Sequence, residues 1–244
     1  MLILTDLDDT LFQTARKCPP DGGELKAMSY LTNGAESGFA TPRQRRMLGW
    51  LGNGRIVPVT ARDRDVLARV DIDQAPAICA NGGCVIDIDG QVDLKWHALL
   101  KQRADQGPAI RTIYNVMTAG LDAEAYRHWV VMEEDLDLYI VFKSNTGDDG
   151  ASLADLETSL AGDLPLGWRI HRNGNNLAFL PPWLNKREAA RYLIEKLRAG
   201  DTHLPIVGIG DSHSDVGFMD LCDYAMTPTS SQLWKHVISE NAWC

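Results

Sequence analysis

Apolar and polar positions follow two different rhythms along the chain. Residues 2–5, LILT, are a short apolar run closed by acids, which predicts a buried strand opening into a loop. Residues 13–40 hold no period, and Asn33-Gly34 within them predicts a hairpin turn. Thr41-Pro42-Arg43-Gln44 predicts a helix start: a capping Thr, a Pro at the first helical position, and a Gln three residues after the cap. Gly52-Asn53-Gly54 stops that helix. RIVPVT, residues 55–60, reads as a second strand whose ladder should break at Pro58. A helix over 62–70, a strand over 77–80, the turn Asn81-Gly82-Gly83 and a hairpin around Asp89-Gly90 follow.

Residues 97–121 read as helical with a break at Gly107-Pro108. Strands at 127–133 and 137–144, a helix at 151–161 and strands at 167–172 and 176–180 come next, a succession typical of an antiparallel α+β unit. Alternation then resumes. A helix over 185–198 ends at Gly200, LPIVGIG (204–210) is a strand, and a helix at 215–222, a strand at 224–226 and a helix from 230 complete the chain. Strand–helix alternation at both ends predicts an α/β fold: a Rossmann-like parallel-sheet core, 1–83 and 179–244, carrying an inserted α+β domain at 84–178.

The 244 residues include 24 Lys plus Arg against 33 Asp plus Glu, a net charge of −9. With 45% hydrophobic residues this is a globular composition, and its acidity argues against a nucleic-acid partner, whose phosphates select clustered cations. It leaves room for a small phosphorylated ligand, because one metal ion reverses a local field. No apolar run approaches the ~20 residues that span a bilayer. MLILTDLDDT lacks the basic start and longer apolar stretch of a signal peptide, so no membrane partner is expected. Cys18, Cys79, Cys84, Cys222 and Cys244 fit no zinc spacing and read as reduced thiols of a cytoplasmic protein.

Candidate chemistry gathers at predicted strand ends. Asp6 and Asp8 follow the first strand two residues apart, so both can face one cavity. Two close carboxylates repel unless a cation neutralises them, and oxygen-only ligands suit Mg²⁺. Asp211 and Asp215 follow the strand 204–210, again at the carboxyl edge where open α/β sheets bind ligands. Thr60 ends the strand 55–60; alone it reads as a helix cap. Lys186 sits in a first helical turn, where a cation opposes the helix dipole unless an anion is bound there. Phosphoryl transfer needs these parts: an in-line nucleophile, a neutralising cation, and donors for the equatorial oxygens.

In this order the residues resemble the haloacid-dehalogenase superfamily of phosphohydrolases. DLDDT is similar to its first motif, VPVT to its second, Lys186 to its third and GDSHSD to its fourth. The insertion between the second and third resembles a C2-type cap, and PVTARDRD with ANGG is most similar to the sucrose-phosphatase and mannosyl-3-phosphoglycerate phosphatase branch. The resemblance implies Asp6 as nucleophile and Asp8 as general acid and base. It implies Mg²⁺ held by Asp6, the Asp8 backbone carbonyl and Asp211, with Asp215 assisting directly or through water. Thr60 and Lys186 would bind phosphoryl oxygens. The implied activity is Mg²⁺-dependent hydrolysis of a small phosphorylated metabolite, a sugar or polyol phosphate, through an aspartyl-phosphate. Ser214, where such relatives often have Asn, and Arg187, where Gly is frequent, depart from the pattern without removing a catalytic group.

Other readings compete. A phosphomutase would return the phosphoryl group before water attacks. A phospho-accepting signalling receiver also places acids, Thr and Lys at strand ends, but lacks a long insertion and the second acid Asp8. A non-catalytic Mg²⁺-binding module would not require both Asp8 and Lys186. Asn173-Gly174-Asn175-Asn176 reads as a turn, and Arg62 and Arg64 as substrate contacts or solvated helix charges.

Overall fold

The computed structural model describes residues 1–147 and 150–239. Cys244 lies outside them, and none of the cysteines inside, Cys18, Cys79, Cys84 and Cys222, is in a disulfide. The chain forms two compact units, Met1–Trp96 with Lys186–Cys244, and His97–Asn185. No helix of the described residues is long and apolar enough to cross a membrane.

The first unit is built on a parallel sheet. Strand β1 (Leu2–Thr5) is flanked by β4 (Arg55–Pro58) and β11 (Ile206–Ile209), and β12 (Tyr224–Met226) lies outside β11. All four residues of β1 are buried, which explains why LILT is a continuous apolar run rather than an alternating one. The expected break at Pro58 does not occur. Arg55 and Val59 donate their amides to the Met1 and Thr5 carbonyls at 3.0 and 2.8 Å, so every second residue from Arg55 points its N–H toward β1. Pro58 falls on the opposite phase, where this ladder asks no N–H of it, and it remains in register with Thr5.

The hairpin expected at Asn33-Gly34 joins β2 (Lys26–Tyr30) to β3 (Glu36–Ala40), with Gly34 at φ 81°. Helix α1 (Pro42–Leu51) opens with the capping box read from the sequence. The Gln44 N–H donates to Thr41 Oγ1 at 3.3 Å, and the Thr41 N–H donates to Gln44 Oε1 at 2.9 Å. The helix expected over 62–70 is shorter. Helix α2 is Arg64–Leu67, capped by Asp63, whose Oδ1 accepts from the Val66 N–H at 2.7 Å. Strands β5 (Ala77–Cys79) and β6 (Cys84–Ile86) pair antiparallel, and the Trp96 indole donates to the Gly82 carbonyl at 2.9 Å. Leu7, Phe12, Leu51 and Leu67 fill one core together with Ile3 of β1. Removing any of them from water contributes ~1.5–3 kcal/mol.

Helix α3 (Leu94–Ala104) and helix α4 (Ile110–Thr118) are separated at Gly107-Pro108, as the sequence requires. The second unit carries an antiparallel sheet of β7 (Tyr126–Glu133), β8 (Leu136–Ser144), β10 (Leu177–Leu180) and β9 (Arg169–Arg172). Register aligns Val130, Ile140 and Phe179 across three strands, and Phe142 with Leu177 beside them. That face packs on Ile110 and Met117 of α4 and on Leu153, Leu156 and Leu160 of α5 (Ser152–Leu160). Asn173 to Asn176 is the expected turn. The Asn173 N–H donates to the Asn176 carbonyl at 2.9 Å, and the Asn175 amide bonds both backbone groups of Ser144, a purely structural use.

Candidate active site

The carboxyl ends of β4, β1 and β11 lie side by side because these strands are parallel neighbours in register. Each hands the chain to a polar residue. After β1 the Asp6 N–H donates to the Ile209 carbonyl at 2.8 Å, so the ladder holds its backbone. The chain then reverses: the Leu7 carbonyl accepts the amides of Thr10, Leu11 and Phe12, and Asp9 takes φ 61°. Beyond β4, Thr60 is buried, and its Oγ1 accepts from the Arg62 N–H at 3.1 Å. Beyond β11 comes Gly210, where a Cβ would stand 2.4 Å from the Cβ of Asp215. Only glycine lets Asp215 approach the strand end so closely.

Helix α6 (Lys186–Arg198) begins at Lys186, and helix α7 (His213–Met219) carries Asp215 in its first turn. Lys186 Nζ donates to Asp6 Oδ1 at 2.8 Å and to Asp215 Oδ1 at 2.7 Å. All three side chains are at least nine-tenths buried. The other oxygen of Asp215, Oδ2, accepts from the Ser212 hydroxyl at 2.7 Å and the Ser212 N–H at 3.1 Å. Asp6 Oδ2 accepts from the Thr10 hydroxyl at 3.4 Å. Asp8 is exposed and held differently: Arg62 grips it with two bonds of 2.8 Å, Nε to Oδ2 and Nη2 to Oδ1. The Arg62 guanidinium also lies over the Phe12 ring, 5.3 Å from its centroid.

The residues singled out from the sequence thus fall at one sheet edge, Asp8 on its exposed rim and the others more deeply set. Arg62 gains a definite partner that its sequence context left open. The signal was its position two residues after Thr60 on the same strand-end loop; the bidentate grip itself lies across 54 residues of sequence. Arg64, in contrast, is the first residue of α2.

Five carboxylates here, Asp6, Asp8, Asp9, Asp211 and Asp215, are set against three cations, Lys17, Lys186 and Arg62. The surplus shows in the acidities. Burial pushes the Asp6 carboxyl well above its usual range, and the negative charges of Asp215 and Asp8 add to this against the pull of Lys186. Asp211 is pushed up to about 7, by burial first and then by Asp215 and Asp9. Asp215 stays below the ordinary value: burial works against it, but Lys186 and the Ser212 donors prevail. Oxygens of Asp6, Asp211 and Asp215 all lie within 4.8 Å of one another. An all-oxygen, electron-rich, partly desolvated donor set of this spacing fits a hard divalent cation such as Mg²⁺.

A raised carboxyl pKa has a consequence for stability. The folded protein keeps a proton on Asp211 that the unfolded chain releases near the ordinary aspartate value of 3.8. The contribution is full below that value and is lost as pH rises toward about 7. With chelator present, wild type should therefore lose more stability between about pH 5 and about pH 8 than Asp211→Asn does, by urea unfolding. Equal losses would contradict the assigned crowding.

No protein-family model and no curated protein sequence matches the chain. Solved structures do. The sucrose-phosphatase of Synechocystis sp. PCC6803, in complex with sucrose and phosphate, aligns over 100% of this chain and 88% of its own, at 16% identity and a TM-score of 0.58. A Thermoplasma acidophilum protein aligns over 97% and 88% at 15% identity and 0.58. A Eubacterium rectale protein aligns over 99% and 91% at 13% identity and 0.57. The parallel sheet with its inserted antiparallel sheet is what these likenesses share with the chain.

Proposed function

From a fold of the haloacid-dehalogenase-like phosphatase type, carrying an acidic cluster able to hold a metal, we propose that this protein is a Mg²⁺-dependent phosphomonoesterase. Its substrate is a small phosphorylated metabolite, a sugar or polyol phosphate. The observation that carries this reading is the placement of Lys186 between Asp6 and Asp215, beside Thr60 and Asp211 at one sheet edge. A buried ammonium and a buried hydroxyl next to a strand-end carboxylate form a receptor for a phosphoryl group and its attacker. The carbohydrate preference is supported by the sucrose and phosphate held by the Synechocystis enzyme of the same fold.

In this reading a carboxylate oxygen of Asp6 attacks phosphorus, and the bond from phosphorus to the ester oxygen breaks. Asp8 gives its proton to the departing alkoxide, so a neutral alcohol leaves and an aspartyl-phosphate remains on Asp6. Asp8, now a base, takes a proton from water as that water attacks phosphorus; inorganic phosphate leaves and Asp6 is restored. Thr60 and Lys186 hold phosphoryl oxygens throughout. Arg62 donates to both oxygens of Asp8, an arrangement that suits Asp8 as the base; one of the two bonds must open for Asp8 to take up from solvent the proton it gives to the leaving group. Asp6, the Asp8 carbonyl, Asp211 and Asp215 would hold Mg²⁺, which when bound supplies positive charge to the phosphoryl oxygens.

Phosphate release over a panel of phosphorylated sugars and polyols, with Mg²⁺ and with chelator, tests the reading. Release from at least one ester is expected, lowered by about 10²-fold or more when the metal is stripped. Unchanged release after complete metal removal would contradict it, as would no release from any ester.

A further inference from the structure

A second cavity lies in the first unit, away from the residues assigned to phosphoryl chemistry. It is a groove open to solvent, measures about 780 Å³ and is lined by residues of β2, α1, the start of β4 and the segment 71–75. Volumes of this size hold drug-sized and cofactor-sized molecules. Arg55 on its wall opens the strand whose other end leads to Thr60, five residues and about 16 Å of extended chain away.

Three properties of this cavity are unexplained by packing. Its floor is apolar: Met28, Leu48, Ile56, Ile72 and Ala75 line it, and all but buried Met28 are only partly covered by the core beside them. Its wall includes Gly49, in the interior of α1. An interior glycine weakens a helix, and this one has neither a positive φ nor a crowding neighbour, since a Cβ there would meet nothing within 4 Å. Gly49 is exposed on that wall, and a side chain there would have room to extend. Lastly, Arg45 and Arg55, both exposed, line the cavity, and neither guanidinium has a hydrogen-bond or ion-pair partner among the described residues. Lys26 is already paired with Asp71 at 2.6 Å, so two arginines remain against Asp73. In a chain of net charge −9, this is a local excess of positive charge over an apolar floor.

We propose that this cavity binds a small amphiphilic anion, with its carboxylate, sulfonate or phosphate taken by Arg45 and Arg55 and its apolar body laid on Met28, Leu48, Ile56 and Ile72 beneath Gly49. Arginine suits the role because its planar fork binds an anionic group through two bonds at once. The open space over Gly49 accommodates the apolar body. The site is separate from the phosphatase reading and stands or falls without it.

Titration of the full chain with anilinonaphthalene sulfonate, followed by fluorescence and competed with octanoate, tests the site. Wild type is expected to show a saturable component that octanoate displaces. Arg45→Ala/Arg55→Ala should weaken that component by about tenfold or more, because charge-assisted bonds to the acid group are lost. Gly49→Leu should abolish it while leaving Tm equal or higher, since the new side chain fills the cavity and suits a helix. The Tm distinguishes a blocked site from a damaged fold. A saturable component unchanged in both variants, or none in wild type, would overturn the proposal. So would a dimer in sedimentation that Arg45→Glu/Arg55→Glu dissociates, because the face would then belong to a second copy of the chain.

Discussion

Asp6→Asn is expected to lower turnover by on the order of 10⁴-fold or more while the protein stays folded. An amide is no nucleophile, so no covalent intermediate can form at this position. The fold should survive because the ladder to Ile209 holds the backbone of residue 6, the amide oxygen of Asn can still accept from Lys186, and Lys186 keeps Asp215 as its charged partner. The substitution even relieves a crowded group, since burial and neighbouring carboxylates already push the Asp6 carboxyl upward. Steady-state kinetics and circular dichroism on the same preparation check this. Wild-type turnover in the variant would remove Asp6 from the chemistry.

Lys186→Ala produces the largest loss of stability. The ammonium bonds Asp6 and Asp215 at 2.8 and 2.7 Å, and neither carboxylate is open to water. Removing the shared cation strands two like charges, at a cost of about 3–5 kcal/mol. Part of that loss should return with Mg²⁺, which neutralises the same carboxylates. Activity should fall on every ester, since the ammonium meets the group common to all of them. Urea unfolding with and without Mg²⁺ is the measurement; a loss below about 1 kcal/mol without metal would mean the pair is not what holds this corner together.

Much of this was legible because the informative residues sit directly after short apolar runs. LILT before Asp6 and LPIVGIG before Asp211 define strand and edge together. Pro58 misled because sequence says that a proline lacks a donor but not which edge that donor would face; the phase set by Arg55 and Val59 decides it. The short α2 escaped because Asp63, not an earlier residue, caps it. Lys186 shows the other limit. Its conflict with the helix dipole signalled an anion nearby, yet its protein partners are 180 and 29 residues away, and no local pattern names them. The Arg62 grip on Asp8 is hidden for the same reason. The groove beside Gly49 had no sequence signal, because its lining comes from segments distant in sequence, residues 26–28, 45–56 and 71–75.

Asp6 is proposed to carry the phosphoryl group between substrate and water. Mixing the protein briefly with a phosphomonoester and Mg²⁺, quenching with borohydride, and mapping the reduced residue by peptide mass spectrometry tests it directly, because borohydride reduces an acyl phosphate to an alcohol and leaves a free carboxylate intact. Reduction at Asp6, dependent on both ester and metal, is the expected result. Phosphate release at full rate with Asp6 unreduced, or with another residue reduced in its place, would contradict it.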